Sequence, residues 1–341
     1  MKKALVVLLA LTCLSALAFA DDVAWVFGAT VKTGALITIP STGSTMIVAN
    51  DADDPTLSRI RLTTQATLGD FSVNVYLNSD YAGSMALDTS LKFLYFPNWW
   101  VTAKFLDQMI ALRFGAMDTS TTDTVNKGWG GINTTGTQIV VTPISGLNVG
   151  LAIPVPTTAG TLDSALAGMK AGFAYTMPNL LTAKATWVNA AGTNNCEADF
   201  GVAVLAVPNL TAQFEGQIKL LGSSTAQTIE LFENVAYAMG PLTPAINADE
   251  VLYSASGLNT QIAINPNVDY VVMTGTAVGL SVTYTMNVAG ASVNKLVADP
   301  YVKFTFNDKA KLKIDAAYTI PDLSATGTWS LPININFMWS Y

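Results

Sequence analysis

The chain has 341 residues, a net charge of −7 and no histidine; half of its residues are hydrophobic and only 12% are charged. A soluble domain usually carries about 25% charged residues, so an ordinary aqueous surface is a poor fit. The acidic balance argues against nucleic acid, which wants clustered Lys and Arg, and the lack of histidine excludes Ser–His and Asp–His catalysis.

In chain order, Met1-Lys2-Lys3 leads into an apolar run from Ala4 to Phe19, and Ala18-Phe19-Ala20 forms a small-x-small site before Asp21-Asp22. Residues 1–20 read as a secretory signal peptide, leaving 21–341 as one domain. Removing Lys2 and Lys3 makes the mature chain more acidic still. No later run reaches the roughly 18 apolar residues that a spanning helix needs. An exported, apolar, charge-poor chain without such a helix has the composition of a transmembrane β-barrel. Cys196 is alone in the mature chain, so there is no disulfide framework.

Two-residue alternation recurs from the first strand, near Ala24, onward. Ile60, Leu62, Ala66 and Leu68 alternate with Arg59, Arg61, Thr63, Gln65 and Thr67. Phe71, Val73, Val75 and Leu77 follow. Leu210 to Leu220, Ser281 to Val288 and Lys311 to Ile320 repeat the pattern, with Glu215, Gln217, Thr283, Lys313 and Asp315 on the polar side. One alternating stretch is weak evidence, but many of about ten residues point to barrel strands.

Turn-forming pairs divide these strands. Tight links are predicted at Gly69-Asp70, Ser145-Gly146, Pro178-Asn179, Pro208-Asn209, Gly240-Pro241, near Gly279, and at Asn307-Asp308. Pro97-Asn98 and Leu106-Asp107-Gln108 compete for one further turn. Longer polar links alternate with the tight ones, at 40–56, 78–88, 117–136, 156–166, 190–196, 222–226, 255–265, 290–298 and 321–327. The count is about eighteen antiparallel strands in an up-and-down barrel, with sixteen as the alternative and both termini at the short-turn end. Asp51, Asp53 and Asp54 crowd the first long link. They read as solvated loop charges rather than a cation site, so no metal is assigned.

The final segment is the clearest. Trp329, Leu331, Ile333, Ile335, Phe337, Trp339 and Tyr341 alternate with Ser330, Pro332, Asn334, Asn336, Met338 and Ser340. Trp329 to Trp339 spans about 33 Å of strand, which at a tilt of about 40° covers roughly the 25 Å between two aromatic girdles. Trp329, Trp339 and Tyr341 are the girdle candidates.

Trp100 to Lys104 running into Ile110 to Gly115, and Gly136 to Pro143 before Gly146-Leu147, are where the sequence most resembles the bacterial outer-membrane porins. The resemblance is diffuse over the mature chain, and the chain ends in Tyr where those porins more often end in Phe. It implies a water-filled channel in the cell outer membrane for passive diffusion of small hydrophilic solutes and ions. It also implies contact with membrane lipid, recognition of the aromatic C-terminal strand by the barrel-insertion machinery, and a homotrimer as one assembly. Neither cofactor nor enzymatic activity follows from it. Porins commonly fold the loop after the fifth strand into the lumen, which here is 117–136 with Asp118, Asp123 and Lys127. The three arginines of the chain, Arg59, Arg61 and Arg113, fall on the polar face of predicted strands two and five. They are expected to line the pore and face Asp118 and Asp123. The competing reading is a structural or adhesive surface barrel without an open pore, and strand count separates the two, because small barrels are filled by side chains.

Overall fold

The computed structural model describes residues 23–50, 57–82, 96–117, 122–124, 127–132, 134–155, 166–189, 196–220, 228–253, 261–288, 294–325 and 327–340. The signal segment 1–20, Asp51, Asp53, Asp54, Asp118 and Tyr341 lie outside the described residues.

One long strand begins and closes the wall. The first half of β1 (Ala24–Pro40) pairs with β3 (Leu57–Leu68), Ala24 opposite Thr67. Its second half pairs with β2 (Met46–Asn50), Thr38 opposite Met46. Strands β2 and β3 thus share one stave of the wall. The expected long link 40–56 is corrected: a hairpin loop at 41–45 comes first, and Met46-Ile47-Val48-Ala49 then pairs along β1. The apolar, β-branched Ile47 and Val48 suit a strand, but the acidic residues after them disguise it in the sequence.

β4 (Phe71–Ala82) folds back over Gly69-Asp70, with Leu68 opposite Phe71. β5 (Trp99–Phe105) and β6 (Ile110–Ala116) join through Leu106, Asp107 and Gln108, whose φ values are 51°, 51° and 69°. Of the two competing turns this is the one used, and Pro97-Asn98 leads into β5. β7 (Thr135–Ile144) and β8 (Leu147–Pro154) turn at Ser145-Gly146. β9 (Lys170–Met177) and β10 (Leu181–Asn189) turn at Pro178-Asn179. β11 (Cys196–Val204) and β12 (Leu210–Leu220) turn at Pro208-Asn209, and β13 (Thr228–Tyr237) and β14 (Leu242–Tyr253) turn at Gly240-Pro241.

β15 (Gln261–Met273) and β16 (Thr276–Asn287) turn at Thr274-Gly275, four residues before the expected Gly279. Gly275 has φ +80° and its carbonyl accepts from Thr305 N at 2.7 Å. Gly279 serves a different purpose. A Cβ there would lie 2.2 Å from Cζ of Tyr301, whose ring crosses the strand at that point.

β17 (Lys295–Asn307) then pairs with β18 (Ala310–Ala316) and β19 (Tyr318–Ile320). These last two are one stave interrupted at Ala317, which faces Pro332. Ala317 N donates to the Pro332 carbonyl at 2.9 Å, but proline returns no N–H to the ladder. β20 (Ser330–Ser340) pairs back with β1, from Thr30 opposite Ser340 to Pro40 opposite Ser330, and closes the barrel. Twenty strand segments therefore make eighteen staves, the number expected. The short turns, Ala24 and Ser340 share one end.

Side chains alternate between the two faces of this wall. Ile60, Leu62, Phe71, Leu112, Phe114, Ile139, Phe214, Ile246, Leu280 and Ile335 stand exposed on the outer face. Every strand Lys and Arg among the described residues falls on the inner register, as do the strand carboxylates except Glu233 and Glu250. A one-residue slip would exchange the faces, so burial of charge fixes the register.

Candidate functional site

The link between β6 and β7 enters the lumen. Met117 N donates to Thr134 O at 3.0 Å and pinches its base. Within it, Thr124 N donates to Trp129 O at 2.8 Å, Trp129 N to Thr124 Oγ1 at 3.0 Å, and Thr122 Oγ1 to Gly130 O at 2.9 Å. These bonds tie Trp129 and Gly130 back to Thr122 and Thr124.

The folded loop lies on the inner face of β7 to β14. Ile132 is fully buried against Val140 and Ala152. A Cβ at Gly150 would come within 2.1 Å of Ile132 Cδ1, so the bare wall at that point is the socket for Ile132. Gly130 has φ +77°, and its own Cβ would lie 2.7 Å from Asp199 Cβ. Only glycine gives both that conformation and that approach.

Polar bonds complete the seating. Lys127 N donates to Glu215 Oε2 at 2.9 Å, and its ammonium forms an ion pair with Asp249 on β14. That ammonium also stands 4.8 Å from the Phe232 ring centroid, within cation–π range. Lys184 Nζ donates to the Asp123 carbonyl at 2.6 Å and Lys170 Nζ to the Gly131 carbonyl at 2.9 Å.

The three arginines stand on the adjoining wall. Arg61 Nε donates to Asn78 Oδ1 at 3.0 Å, and its guanidinium lies 5.3 Å from the Tyr76 ring centroid. Tyr76 meets Trp100 edge-on at 5.3 Å. Arg113 Nη1 donates to Gln138 Oε1 at 2.6 Å, and Gln138 Nε2 donates to the Ile132 carbonyl at 2.9 Å. Arg113 thus orients the amide that holds the loop. Arg59 is half-buried and in register with Lys32 and Asp80. A recess of about 400 Å³ opens among Gln65, Asn74, Tyr76, Thr102, Lys104 and Arg113.

The sequence-predicted residues are therefore placed as follows. Arg59, Arg61 and Arg113 share one inner wall. Asp123 and Lys127 lie on the inserted loop, with Asp123 offering its main-chain carbonyl to Lys184 and Lys127 reaching the far wall. Trp329 packs against Tyr318 at 5.8 Å, and Trp339 stands at the opposite end of the closing strand, in register with Val31. Sequence reading missed Gln138, Lys170, Lys184, Glu215 and Asp249 as loop anchors. Alternation puts all five on the inner face, but only the path of the loop shows which are met.

No known protein-family model matches this chain, and no curated protein matches it by sequence. Its fold does match solved structures. Pseudomonas aeruginosa OprD superposes with a TM-score of 0.61 at 10% identity, covering 93% of this chain and 95% of that one. Acinetobacter baumannii OccAB4 gives 0.62 at 10% identity, covering 92% and 97%. An anion-selective porin from Comamonas acidovorans gives 0.55 at 12% identity, covering 94% and 100%. At such low identity the likeness establishes a shared fold, the closed antiparallel barrel of the outer-membrane porins.

Proposed function

We propose that this protein is a non-enzymatic porin of the bacterial outer membrane, exported on residues 1–20 and passing small hydrophilic solutes and ions by passive diffusion. The observation that carries this reading is the closed eighteen-stave barrel with a polar, charge-lined interior and a loop seated within it. Barrels of this size leave an aqueous lumen, and selectivity then follows from lumen width and lining charge. The exposed apolar outer wall suits lipid, with Trp329 and Trp339 at its borders. The aromatic C-terminal strand suits recognition by the barrel-insertion machinery, and a homotrimer is the proposed assembly.

Arg59, Arg61 and Arg113 form the basic side of the narrowest section, and Asp118, Asp123 and Lys127 belong to the loop across it. Refolded mature protein added to a planar bilayer should give discrete, stable conductance steps. A folded, β-rich preparation that gives none would favour a closed surface barrel instead. Replacing Arg59, Arg61 and Arg113 by Ser should move the reversal potential toward cation preference. An unchanged reversal potential would remove the arginines from the selective section.

A further inference from the structure

Beneath the inserted loop lies a row of polar side chains with buried oxygens that no hydrogen bond satisfies. Thr186 on β10, Asp199 on β11 and Gln217 on β12 are direct cross-strand neighbours. All are buried, with exposures of 4%, 2% and 4%. Gln217 Nε2 donates both to Asp199 Oδ1 at 2.7 Å and to Glu197 Oε1 at 3.2 Å. These two hydrogen bonds to carboxylates fix the amide, so its Oε1 must point away from them. Gln217 Oε1, Asp199 Oδ2 and Thr186 Oγ1 then have no hydrogen-bond partner among the described residues. Gly130 of the loop closes over Asp199 and excludes water.

The charged groups around Asp199 come from every packed element. Glu197 stands beside it on β11. Glu215 and Lys219 flank Gln217 on β12, Lys184 lies two residues from Thr186 on β10, Lys170 reaches in from β9, and Lys127 comes from the loop. Most are already committed. Lys170 holds Gly131 O, Lys184 holds Asp123 O, and Glu215 accepts from Lys127 N. Asp199 is the carboxylate left with an oxygen that no donor reaches.

A carboxylate without water or donor at one oxygen is costly; the Thr186 hydroxyl makes no bond to Asp199 Oδ2, whereas a protonated carboxyl brings its own donor to that oxygen. Seating the loop is what removes the water. We propose that Asp199 is a proton-operated catch for the inserted loop: the loop seats when Asp199 takes up one proton from solvent and lifts into the lumen when that proton leaves. Low pH therefore favours the seated loop and a wider lumen. Rising pH favours hydration of the Asp199 carboxylate, which requires Gly130 to move away.

Trp129 lies on the loop, one residue from Gly130, and reports its position. The test uses the full mature chain refolded in detergent micelles. Acrylamide quenching of Trp129, taken as the difference from a Trp129→Phe variant, is followed between about pH 4 and pH 9. Quenching should rise severalfold with pH in a single one-proton step, and Asp199→Asn should hold it at the low-pH level throughout. No step in the wild type, or the same step in Asp199→Asn, overturns the proposal. So does a step that follows sodium or calcium concentration instead of pH. Should Asp199→Asn fail to fold, Gln217→Leu serves in its place. It removes the amide donor to both carboxylates and must shift the midpoint, and an unmoved midpoint is equally fatal. Parallel bilayer recordings separate this inference from the channel reading on which its effect on current rests. A step in quenching without any current keeps the catch and removes the channel, and current without the step does the reverse.

Discussion

The two sides of the lumen differ in strand charge. The wall from β3 to β6 carries Arg59, Arg61, Lys104 and Arg113 on its inner register against Asp80, and Arg61 and Arg113 donate to the amides of Asn78 and Gln138. On the wall from β12 to β18, lysines meet carboxylates. Lys127 pairs with Asp249, Lys303 with Asp269 at 3.3 Å, Lys313 with Asp315 at 2.8 Å, and Lys219 with Glu230 at 4.0 Å. The first wall carries a surplus of positive charge on its strands, and the second is close to balanced. On the channel reading proposed above, a solute would meet a transverse field set by this difference in strand charge. The inserted loop divides the same way. Lys127 ties it to the balanced wall at Glu215 and Asp249, Lys170 and Lys184 hold it from β9 and β10 between the two walls, and Gln138 links it to Arg113.

The largest expected effect breaks that fastening. Gly130→Val puts a β-branched side chain at φ +77°, with its Cβ 2.7 Å from Asp199 Cβ and 2.9 Å from Thr186 Cβ. The conformation alone costs roughly 1–3 kcal/mol, and neither contact can yield without moving the loop. The loop should lose its seat while the barrel still folds, because no ladder bond involves Gly130. Conductance should change severalfold, and wild-type conductance in this variant would mean that the loop does not set the lumen.

Charge removal on the two walls should be unequal. The triple serine variant of the arginine wall should shift the reversal potential strongly. Lys127→Met removes a cation already compensated by Asp249 and should shift it less. Equal shifts would erase the difference between the walls. Gln138→Leu comes next. It leaves the buried Ile132 carbonyl and the Arg113 guanidinium each short of a partner, at a cost of about 1–3 kcal/mol, readable as a lower urea midpoint.

The barrel itself was legible because its signal is periodic and repeated. Eighteen staves, most of the short turns, the inward register of the arginines and the closing strand follow from alternation and turn residues. The failures are instructive. Met46–Asn50 was hidden because acidic residues follow it directly. The split at Ala317 is caused by Pro332, on a different strand, and no local pattern announces it. The loop anchors were invisible for the same reason: Lys127 and Asp249 are separated by 122 positions, and alternation carries no information about which inner-face residues a loop will touch. Asp118 falls outside the described residues, and Asp123 is the carboxylate among the described residues of the loop.

Gly279 shows the same limit at the scale of one residue, and it gives the smallest prediction. A glycine in a strand pattern suggests a turn or a bulge, and sequence reading placed a turn there. In the fold it lies beneath the Tyr301 ring, which reaches across to Asp269, with Tyr301 Oη donating to Oδ1 at 2.8 Å. The Lys303 ammonium stands over that ring, 4.4 Å from its centroid. Gly279→Ala would push against the far end of a side chain that can swing, not against backbone. The strand should survive, and the cost should be about the hydrogen bond to Asp269, roughly 1 kcal/mol. With Tyr301 displaced, the Lys303–Asp269 pair stays, so the balanced wall should keep its charge and the reversal potential should not move. A turn at Gly279 would behave differently, because disrupting it would alter the pairing of β15 with β16 and lower stability well beyond one hydrogen bond. Urea unfolding of Gly279→Ala beside Gly275→Ala separates the two. At Gly275, φ is +80° and a Cβ would lie 2.6 Å from the Thr305 carbonyl oxygen, so that substitution should be the more damaging of the pair.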